Sequence, residues 1–333
     1  MSAPRVSVLM PVRDGGWWLL EAVASLRAQT VREWELILVD DHSSDGAIAA
    51  LPGDRRIRVV ANARCGIVGA LNTGLAHCSA PFVARLDADD RMRPDRLERQ
   101  LDCFAADPTL TVVASRVRAF AGAEPVPDGM RRYLAWQNRL LDHRSLVANA
   151  FVEAPVTHPS VTLRTDALRA LGGYRVTSWA EDFDLWLRAR AAGWRFHKLM
   201  APLTGWRDHS LRLTRTDARC NRDQYIAARA YHLVESELSG RAVAICGGGK
   251  HATGLCRALR ARGATVSHFY DIAPWRIGGR RQGIPVLPLS SIASQPPDTL
   301  TLGCVARPAS RRALRDALQQ LGRTEGTDFL MTA

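Results

Sequence analysis

The run Phe82-Val83-Ala84-Arg85-Leu86-Asp87-Ala88-Asp89-Asp90 decides the fold class, because a short apolar segment typical of a buried strand passes directly into a cluster of carboxylates. The same arrangement occurs earlier, where residues 34–39 lead into Asp40 and Asp41. Segments with helical apolar spacing lie between the strand-like segments. This alternation predicts an α/β domain with a parallel sheet covered by helices on both faces. Both acidic clusters would then lie at the carboxyl edge of the sheet, where such folds bind ligands.

A second strand–helix pattern begins near residue 240. Residues 242–247 are typical of a buried strand that enters a glycine turn, G-x-G-x-x-A over 247–252, and the next strand ends at Asp271. This spacing is that of a dinucleotide-binding βαβ unit, although a glycine turn is also needed simply for tight strand–helix packing. We predict two domains, residues 1–238 and a smaller Rossmann-like α/β domain at 239–333. For the second domain we favour a structural, docking or oligomerisation role over a bound nucleotide.

The composition indicates a globular protein. The 333 residues are 47% hydrophobic and 23% charged, which is enough for two compact domains. No apolar run approaches the ~20 residues that cross a bilayer, and the first residues lack the apolar core of a signal peptide. The seven cysteines form neither a CxxC pair nor a Cys/His cluster, which argues against a disulfide framework and a structural zinc site. We therefore expect a cytoplasmic protein.

The net charge is strongly positive and comes almost entirely from arginine. Only Lys198 and Lys250 are lysines among the 45 basic residues, and the net charge of +12 comprises +4 in residues 1–238 and +8 in residues 239–333. This excess predicts an anionic partner, for which a nucleotide sugar or an anionic membrane surface is suitable. We expect no nucleic-acid partner, because no basic run is interleaved with aromatic residues.

Two interpretations apply to the cluster at 87–90. Asp87 and Asp89 stand two residues apart, so in strand geometry their side chains point the same way, as ligands of Mg²⁺ or Mn²⁺ must. Such an ion would hold a substrate diphosphate. The alternative is a solvated turn in which Asp90 or Asp95 caps the following helix.

Other polar residues are also candidates for a binding role. Asp40 or Asp41 could accept hydrogen bonds from a base or a ribose, or serve ordinary turn and cap interactions. His209 could be a metal ligand or a diphosphate contact, and His158 could line an acceptor pocket. Both histidines could equally be ordinary surface or structural residues.

The pair Glu181-Asp182 stands at the start of an amphipathic helix. Ser178-x-x-Glu181 matches a capping box, which would explain Glu181 without any chemistry. Asp182 is not explained in this way. A position near a helix N-terminus would keep Asp182 ionised at neutral pH, ready to act as a general base.

Together these motifs resemble those of the family 2 glycosyltransferases, which have the GT-A fold. The resemblance covers about residues 5–235 and implies inverting transfer of a sugar from a nucleotide-diphosphate sugar to an acceptor hydroxyl, with Mg²⁺ or Mn²⁺ as cofactor. It places the activity in cell-envelope or exopolysaccharide synthesis. The matching segments, which occur in the family's order, are residues 6–11 with Arg13-Asp14, residues 39–45, residues 70–74, residues 85–90, Gly172-Gly173-Tyr174 and residues 181–186.

The resemblance also implies a role for each matching residue. Asp182 would be the catalytic base, and Asp89, with His209, would hold the metal. Glu181 and His158 would contact the acceptor. Arg212 and Arg215 would be phosphate clamps for the donor. The full set of donor-binding residues would be Pro11, Arg13, Asp40, Asp41, Asp87, Arg212 and Arg215. Arg13 replaces a tyrosine that packs on the nucleobase in many relatives, which weakens the expectation of a uracil base although a guanidinium stacks similarly.

The partners expected from this resemblance are the sugar donor and a saccharide or lipid-linked saccharide acceptor. Peripheral contact with the inner face of the membrane and formation of a homo-oligomer are both left open. No apolar run follows the transferase segment, so a single-addition enzyme is favoured over a membrane-spanning synthase. One alternative is a catalytically inactive protein that binds nucleotide sugars or acts as a scaffold. Another alternative is an NAD-linked enzyme whose reaction is catalysed by residues 239–333, although the sequence of that domain contains no obvious catalytic acid or base. A sugar nucleotidyltransferase is disfavoured because residues 13–18 match its phosphate loop poorly.

Overall fold

The computed structural model describes residues 3–122 and 125–333. Its strands are β1 Val6–Val12, β2 Trp34–Asp40, β3 Ile57–Ala61, β4 Phe82–Arg85, β5 Arg91–Met92, β6 Val112–Phe120, β7 Thr162–Arg164, β8 Phe196–Arg207, β9 Val243–Cys246, β10 Val266–Asp271, β11 Arg280–Arg281, β12 Ile284–Pro288, β13 Leu300–Gly303 and β14 Phe329–Met331. Its α-helices are α1 Gly16–Arg27, α2 Ile67–His77, α3 Arg96–Ala106, α4 Asp128–Gln137, α5 His143–Ala148, α6 Thr165–Ala170, α7 Glu181–Ala191, α8 Leu213–Thr216, α9 Arg222–His232, α10 Lys250–Arg260 and α11 Pro308–Gln320.

The strands form two sheets. The first has eight strands in the order β3-β2-β1-β4-β7-β6-β8-β5, and the second has six in the order β11-β12-β10-β9-β13-β14. Strands β3, β2, β1 and β4 pair with one another in parallel, as predicted from the strand–helix alternation, whereas β7 runs antiparallel to β4 and β6, and β5 runs antiparallel to β8. The apolar runs of β1 and β2 are buried on both faces, as the central strands of such a sheet must be.

The chain divides into two compact units. The first contains residues 1–147, 155–176 and 192–215, and the second contains residues 148–154, 177–191 and 216–333. Along the chain, the predicted domain boundary between residues 238 and 239 falls after the last strand of the first sheet and before the first strand of the second. It stays a prediction. In the structure, α7 and α9 are grouped with the second sheet.

No helix in the described part of the chain is both long enough and apolar enough to span a bilayer. All seven cysteines are free thiols, four of them buried.

Buried arginine side chains fix the position of β4 in the first unit. Arg96 is fully buried and donates hydrogen bonds to the carbonyl oxygens of Pro159 at 2.7 Å and of Arg85 at 2.9 Å. Its Nε donates to the side chain of Gln100, whose amide donates in turn to Val113. Because each backbone acceptor belongs to a different segment, this network holds the end of β4 in register with its neighbours.

One predicted helix is interrupted. The apolar spacing suggests a single helix over residues 133–146, but the chain forms α4 and α5 with a break between them. The side chain of Asn138 ends α4 by bonding both backbone groups of Val117 in β6. Asp142 then caps α5 by accepting a hydrogen bond from the backbone N–H of Ser145 at 2.8 Å. These polar side chains override the apolar periodicity.

Lys198 in β8 gives a testable pH dependence of stability. It is 1% exposed and donates hydrogen bonds to the carbonyl oxygens of Gln137 and Pro155, and burial lowers its pKa to about 7. The unfolded chain therefore binds more protons than the folded chain above pH 7. Between pH 7 and 8.5 we expect the free energy of unfolding of the wild type to rise by about 1.5 kcal/mol relative to that of Lys198→Met. Urea unfolding at several pH values measures the difference, and parallel curves would contradict the assignment.

Candidate active site

The carboxyl ends of β1, β2 and β4 meet at one edge of the first sheet. Because β1 pairs in parallel with both β2 and β4, the segments that follow these strands emerge side by side. Pro11 lies near the end of β1, and Arg13, just beyond that strand, is exposed. Asp40 ends β2, and Asp87 follows β4. The structure thus brings these predicted donor-binding residues to one edge.

The adjacent carboxylates Asp40 and Asp41 have different environments. Asp41 is 5% exposed and accepts hydrogen bonds from Nδ2 of Asn62 at 2.6 Å and from the backbone N–H of Gly66, at the start of α2, at 3.0 Å. Asp40 is partly exposed and accepts one from the backbone N–H of Ser43. Asp41 therefore fastens the start of α2, and Asp40 is the carboxylate of this pair that is accessible to a ligand.

Other residues of the motif at 40–45 form hydrogen bonds between the loop after β1 and the loop after β2. Asp45 accepts a hydrogen bond at 2.7 Å from the backbone N–H of Gly16, the first residue of α1. Asp14 accepts one at 2.7 Å from the backbone N–H of Ser44. Asp14 and His42 both have positive φ angles, of 48° and 62°. These hydrogen bonds hold the β1 and β2 loops in a conformation that L-residues rarely adopt.

Three carboxylates converge after β4. Ligand atoms of Asp87, Asp89 and Asp90 all lie within 4.8 Å of one another. Asp90 is 1% exposed; burial, with the charges of Asp89 and Asp87, raises its pKa well above the ordinary value. Its Oδ2 is buried and has no hydrogen-bond partner within residues 3–122 and 125–333. The arrangement can accept a divalent cation, which would offset the repulsion between the carboxylates.

Asp90 was missed as a metal-binding candidate, because its position suggested a helix cap. The helix that follows, α3, begins at Arg96, and neither Asp90 nor Asp95 caps it; the side chain of Gln29 instead accepts a hydrogen bond from the backbone N–H of Leu97 at 3.0 Å. The side chain of Asp90 instead joins Asp87 and Asp89. The cap interpretation of this cluster is therefore wrong.

Basic side chains orient two of the three carboxylates. Arg85, which is buried, pairs with Asp87 and also donates hydrogen bonds to the carbonyl oxygens of Leu9 and Leu86. His209 lies on the other side, with Nε2 2.7 Å from Oδ2 of Asp89. The His209 ring packs against Trp18 at 4.3 Å between centroids, and its Nδ1 is buried without a partner in the described part of the chain. His209 is thus part of this site and not a surface residue.

Arg207 is a further component that sequence reasoning did not single out. Its backbone N–H donates to Asp90 at 2.8 Å, its Nε donates to the carbonyl oxygen of Asp89 at 2.8 Å, and its guanidinium pairs with Glu21. The guanidinium also lies 5.1 Å from the ring of Trp17. The feature of the sequence that could have indicated a role for Arg207 is its position at the end of a strand, directly before Asp208 and His209. Arg207 therefore joins α1 to the loop that carries the carboxylates.

Replacing Arg207 should destabilise the protein. In Arg207→Met, the partly exposed Glu21 loses a buried partner and the carbonyl oxygen of Asp89 loses its donor, so we expect a loss of about 2 kcal/mol. Urea unfolding measures this loss. The matched control is Arg93→Met, which removes an exposed pair with Asp95 and should cost less than about 0.5 kcal/mol. Equal losses in the two variants would show that Arg207 has no special role.

The two candidate phosphate clamps are engaged with Asp208. Arg215 donates to both carboxylate oxygens of Asp208, at 2.7 and 2.8 Å. The guanidinium of Arg212 lies 3.8 Å above the ring of Trp206, and its Nη1 is 4.0 Å from Asp208. A guanidinium has five N–H donors, so either side chain could contact a phosphate beside Asp208 or in place of it. Their clamp roles stay predictions.

The pair Glu181 and Asp182 belongs to the second unit. Helix α7 begins at Glu181, so this residue is the first of the helix and cannot complete the predicted capping box with Ser178. Glu181 forms an ion pair with Arg219 at 3.5 Å. Asp182 is partly exposed, and its Oδ1 accepts a hydrogen bond from the backbone N–H of Phe183 at 2.7 Å. Both carboxylates stand in the first helical turn, where the helix dipole favours negative charge.

A buried network anchors this end of α7. Asp184 is fully buried and accepts hydrogen bonds from Nε1 of Trp179 at 3.2 Å, Nε of Arg188 at 2.7 Å and Nε2 of His232 at 2.9 Å. Burial alone would raise the pKa of Asp184, but the hydrogen bonds and charges of His232 and Arg188 outweigh it and lower the pKa. Since His232 ends α9, the network fixes α7 against α9. The motif at 181–186 thus contains a buried, hydrogen-bonded carboxylate, Asp184, and a partly exposed carboxylate, Asp182.

His158 lies in the first unit and is buried. Its Nε2 is 2.9 Å from the hydroxyl of Tyr174, and the side chain of Asn72 bonds both backbone groups of Tyr174. Burial, together with the nearby charge of Arg85, lowers the pKa of His158 well below its ordinary value. His158 is therefore neutral at physiological pH. Its acceptor-binding role stays a prediction.

Comparison with known proteins identifies the family. The family model described as "Glycosyl transferase family 2" matches residues 7–172. EpsE of Bacillus subtilis, assigned as a glycosyltransferase, is 31% identical over 217 residues, which cover 61% of this chain and 72% of EpsE. The chain belongs to glycosyl transferase family 2.

A second relative and a solved structure agree with this assignment. The Escherichia coli UDP-Gal:alpha-D-GlcNAc-diphosphoundecaprenol beta-1,3-galactosyltransferase is 28% identical over 197 residues, which cover 57% of this transferase and 69% of that enzyme. The crystal structure of S. aureus TarS 1–349 in complex with UDP-GlcNAc matches with a TM-score of 0.55 and 16% identity, over 77% of this transferase and 71% of that chain. The predictions of a GT-A fold, of a second smaller sheet and of glycosyltransferase activity are confirmed.

Proposed function

We propose that this transferase moves a sugar, with inversion, from a nucleotide-diphosphate sugar to an acceptor hydroxyl in the synthesis of a cell-envelope or exopolysaccharide component. The observation that carries the proposal is the convergence of three carboxylates at the carboxyl edge of a parallel sheet, beside the exposed end of β2. Both features suit a nucleotide diphosphate: its base and ribose donate hydrogen bonds to acceptors such as carboxylates, and its phosphates need positive charge, which a divalent cation held by the three carboxylates would supply.

The donor would lie along this edge. Asp40 is suited to accept a hydrogen bond from a base N–H, and the exposed guanidinium of Arg13 can stack on the base. Asp41 is less suited, because its carboxylate already bonds Gly66 and Asn62. A UDP-sugar is the first donor to test, because the related E. coli enzyme uses UDP-Gal and the TarS structure contains UDP-GlcNAc.

The residues present fit a divalent cation. Asp89, Asp90 and Asp87 supply the hard oxygen ligands that Mg²⁺ and Mn²⁺ prefer, and the buried Oδ2 of Asp90, which has no hydrogen-bond partner among the described residues, can serve as one of them. Mn²⁺ suits the inclusion of His209 better than Mg²⁺ does. When bound, the cation supplies positive charge that offsets the negative charge of the leaving diphosphate.

Asp182 is the proposed catalytic base. The acceptor oxygen attacks the anomeric carbon as the bond to the diphosphate breaks, and the hydroxyl proton passes to the carboxylate of Asp182. Its hydrogen bond from Phe183 orients the carboxylate, and Glu181 beside it is proposed to contact the acceptor. Attack opposite the leaving group inverts the anomeric configuration without a covalent enzyme intermediate.

A donor panel tests the proposal. The purified protein is melted with UDP-, GDP- and dTDP-sugars, with Mn²⁺ or with a chelator, and release of nucleoside diphosphate is followed with diphospholipid-linked saccharides as acceptors. A donor at 100 times its Kd should stabilise the fold by about 2.7 kcal/mol. Proton NMR of the product reports whether the anomeric configuration is inverted. Stabilisation without turnover would instead support the inactive nucleotide-sugar-binding alternative.

A further inference from the structure

The glycine turn of the second sheet is already covered by side chains. Asp271, at the end of β10, accepts hydrogen bonds from the backbone N–H groups of Ile272 and Ala273 and pairs with Arg276 at 3.0 Å. A Cβ on Gly248 would lie 2.5 Å from both members of that pair, so a larger residue there would displace the pair. Arg281 donates to the carbonyl oxygen of Gly248. These contacts explain the glycine turn structurally and direct attention to the loop that covers it.

That loop, residues 272–279 between β10 and β11, exposes two large apolar side chains. Ile272 is 78% exposed and Trp275 is 82% exposed. The loop backbone is nevertheless well bonded, since the N–H of Arg276 donates to Ala273 and that of Gly278 donates to Val286 in β12. An ordered loop therefore exposes two large apolar side chains three residues apart, which makes this surface a candidate contact with another phase or molecule.

Basic residues lie on the loop, at its end and at the glycine turn that it covers. Lys250 and Arg280 are exposed, and Arg276 and Arg281 hold the loop against the glycine turn. Residues 247–281 contain seven basic residues and one acidic residue, Asp271, which is buried and paired. We call Ile272 and Trp275 with Lys250, Arg276, Arg280 and Arg281 the loop surface. The loop surface thus combines four basic side chains with the exposed apolar side chains of Ile272 and Trp275.

We propose that the loop surface binds the second unit to an anionic lipid bilayer. Arginine and lysine are attracted to anionic headgroups, tryptophan prefers the membrane–water interface, and an isoleucine beside it can enter the acyl boundary. A nucleic acid would use the charge but offers no apolar layer for Ile272. The proposal does not depend on the transferase reaction, because it concerns a surface of the second sheet.

Vesicle binding by the full chain tests the proposal in the absence of nucleotide sugar. The protein is sedimented with vesicles of phosphatidylcholine alone or with roughly 30% phosphatidylglycerol. We expect binding only to the anionic vesicles, weakened by salt. The double variant Ile272→Ser/Trp275→Ser and the charge reversal Arg280→Glu should each weaken it by about tenfold or more.

Two matched controls lie elsewhere in the same unit. Leu321→Ser changes another exposed apolar residue, and Arg312→Glu reverses an exposed charge on α11. Both controls should bind like the wild type, and thermal melts confirm that all variants fold. Absence of binding to anionic vesicles would overturn the proposal, as would equal losses in the controls. If the loop variants instead dissolve a dimer, or reduce RNA binding, while vesicle binding is unchanged, the surface serves a different partner and the proposal is wrong.

Discussion

Asp89→Asn should abolish metal-dependent binding of the sugar donor and lower kcat/KM by about 1,000-fold or more. The asparagine keeps an oxygen that can accept the hydrogen bond from His209, so the contact with Trp18 and the local fold should persist. What the substitution removes is one negative charge from a cluster of three. The effect should therefore fall on the cation and, through it, on the donor diphosphate.

The matched control is Asp102→Asn, an exposed carboxylate on α3 in the same unit. It should leave the donor-induced thermal shift and the activity unchanged. Isothermal titration with Mn²⁺ and then with the donor separates loss of the cation from loss of the nucleotide sugar. If Asp89→Asn still gives a metal-dependent donor shift equal to that of the wild type, the carboxylate cluster is not the metal site.

The edge where the site forms could be predicted from the sequence. Strands β1, β2 and β4 are short apolar runs that end in polar residues, and parallel pairing places those ends together. The pairing of β6 could not be predicted in the same way. It runs parallel to β8 and antiparallel to β7, and these partners lie far apart in the chain without a local pattern that specifies them. Hydrophobic periodicity identifies strands but not their neighbours.

The site residues show the same limit. Asp87 and Asp89 are recognisable because their spacing is local, whereas Asp90 enters the cluster with the help of a hydrogen bond from Arg207, 117 residues away. The two aspartates at the end of β2 look equivalent in sequence. They differ in the fold because the start of α2 packs against one of them. Burial and long-range partners decide these roles, and neither is encoded in a motif.

Asp182→Asn should lower kcat by about 100- to 10,000-fold while leaving donor binding intact, because only the proton acceptor is lost. The asparagine oxygen can still accept the hydrogen bond from the backbone N–H of Phe183, so the start of α7 should keep its conformation. The donor-induced thermal shift and the KM for the donor should match those of the wild type. This pattern is the reverse of that expected for Asp89→Asn, and the two variants together separate the binding of the donor from the chemical step.

Asp223→Asn is the control for this substitution, since Asp223 is an exposed aspartate in the first turn of α9 in the same unit. It experiences a similar helix dipole but has no proposed contact with substrate, so its activity should equal that of the wild type. Glu181→Gln should mainly raise the KM for the acceptor. If Asp182→Asn retains activity within about threefold of the wild type, another group must take the proton, because loss of a general base costs far more than that. If the wild type itself shows donor binding but no turnover with any acceptor, Asp182 has no catalytic step to perform and the chain functions by binding alone.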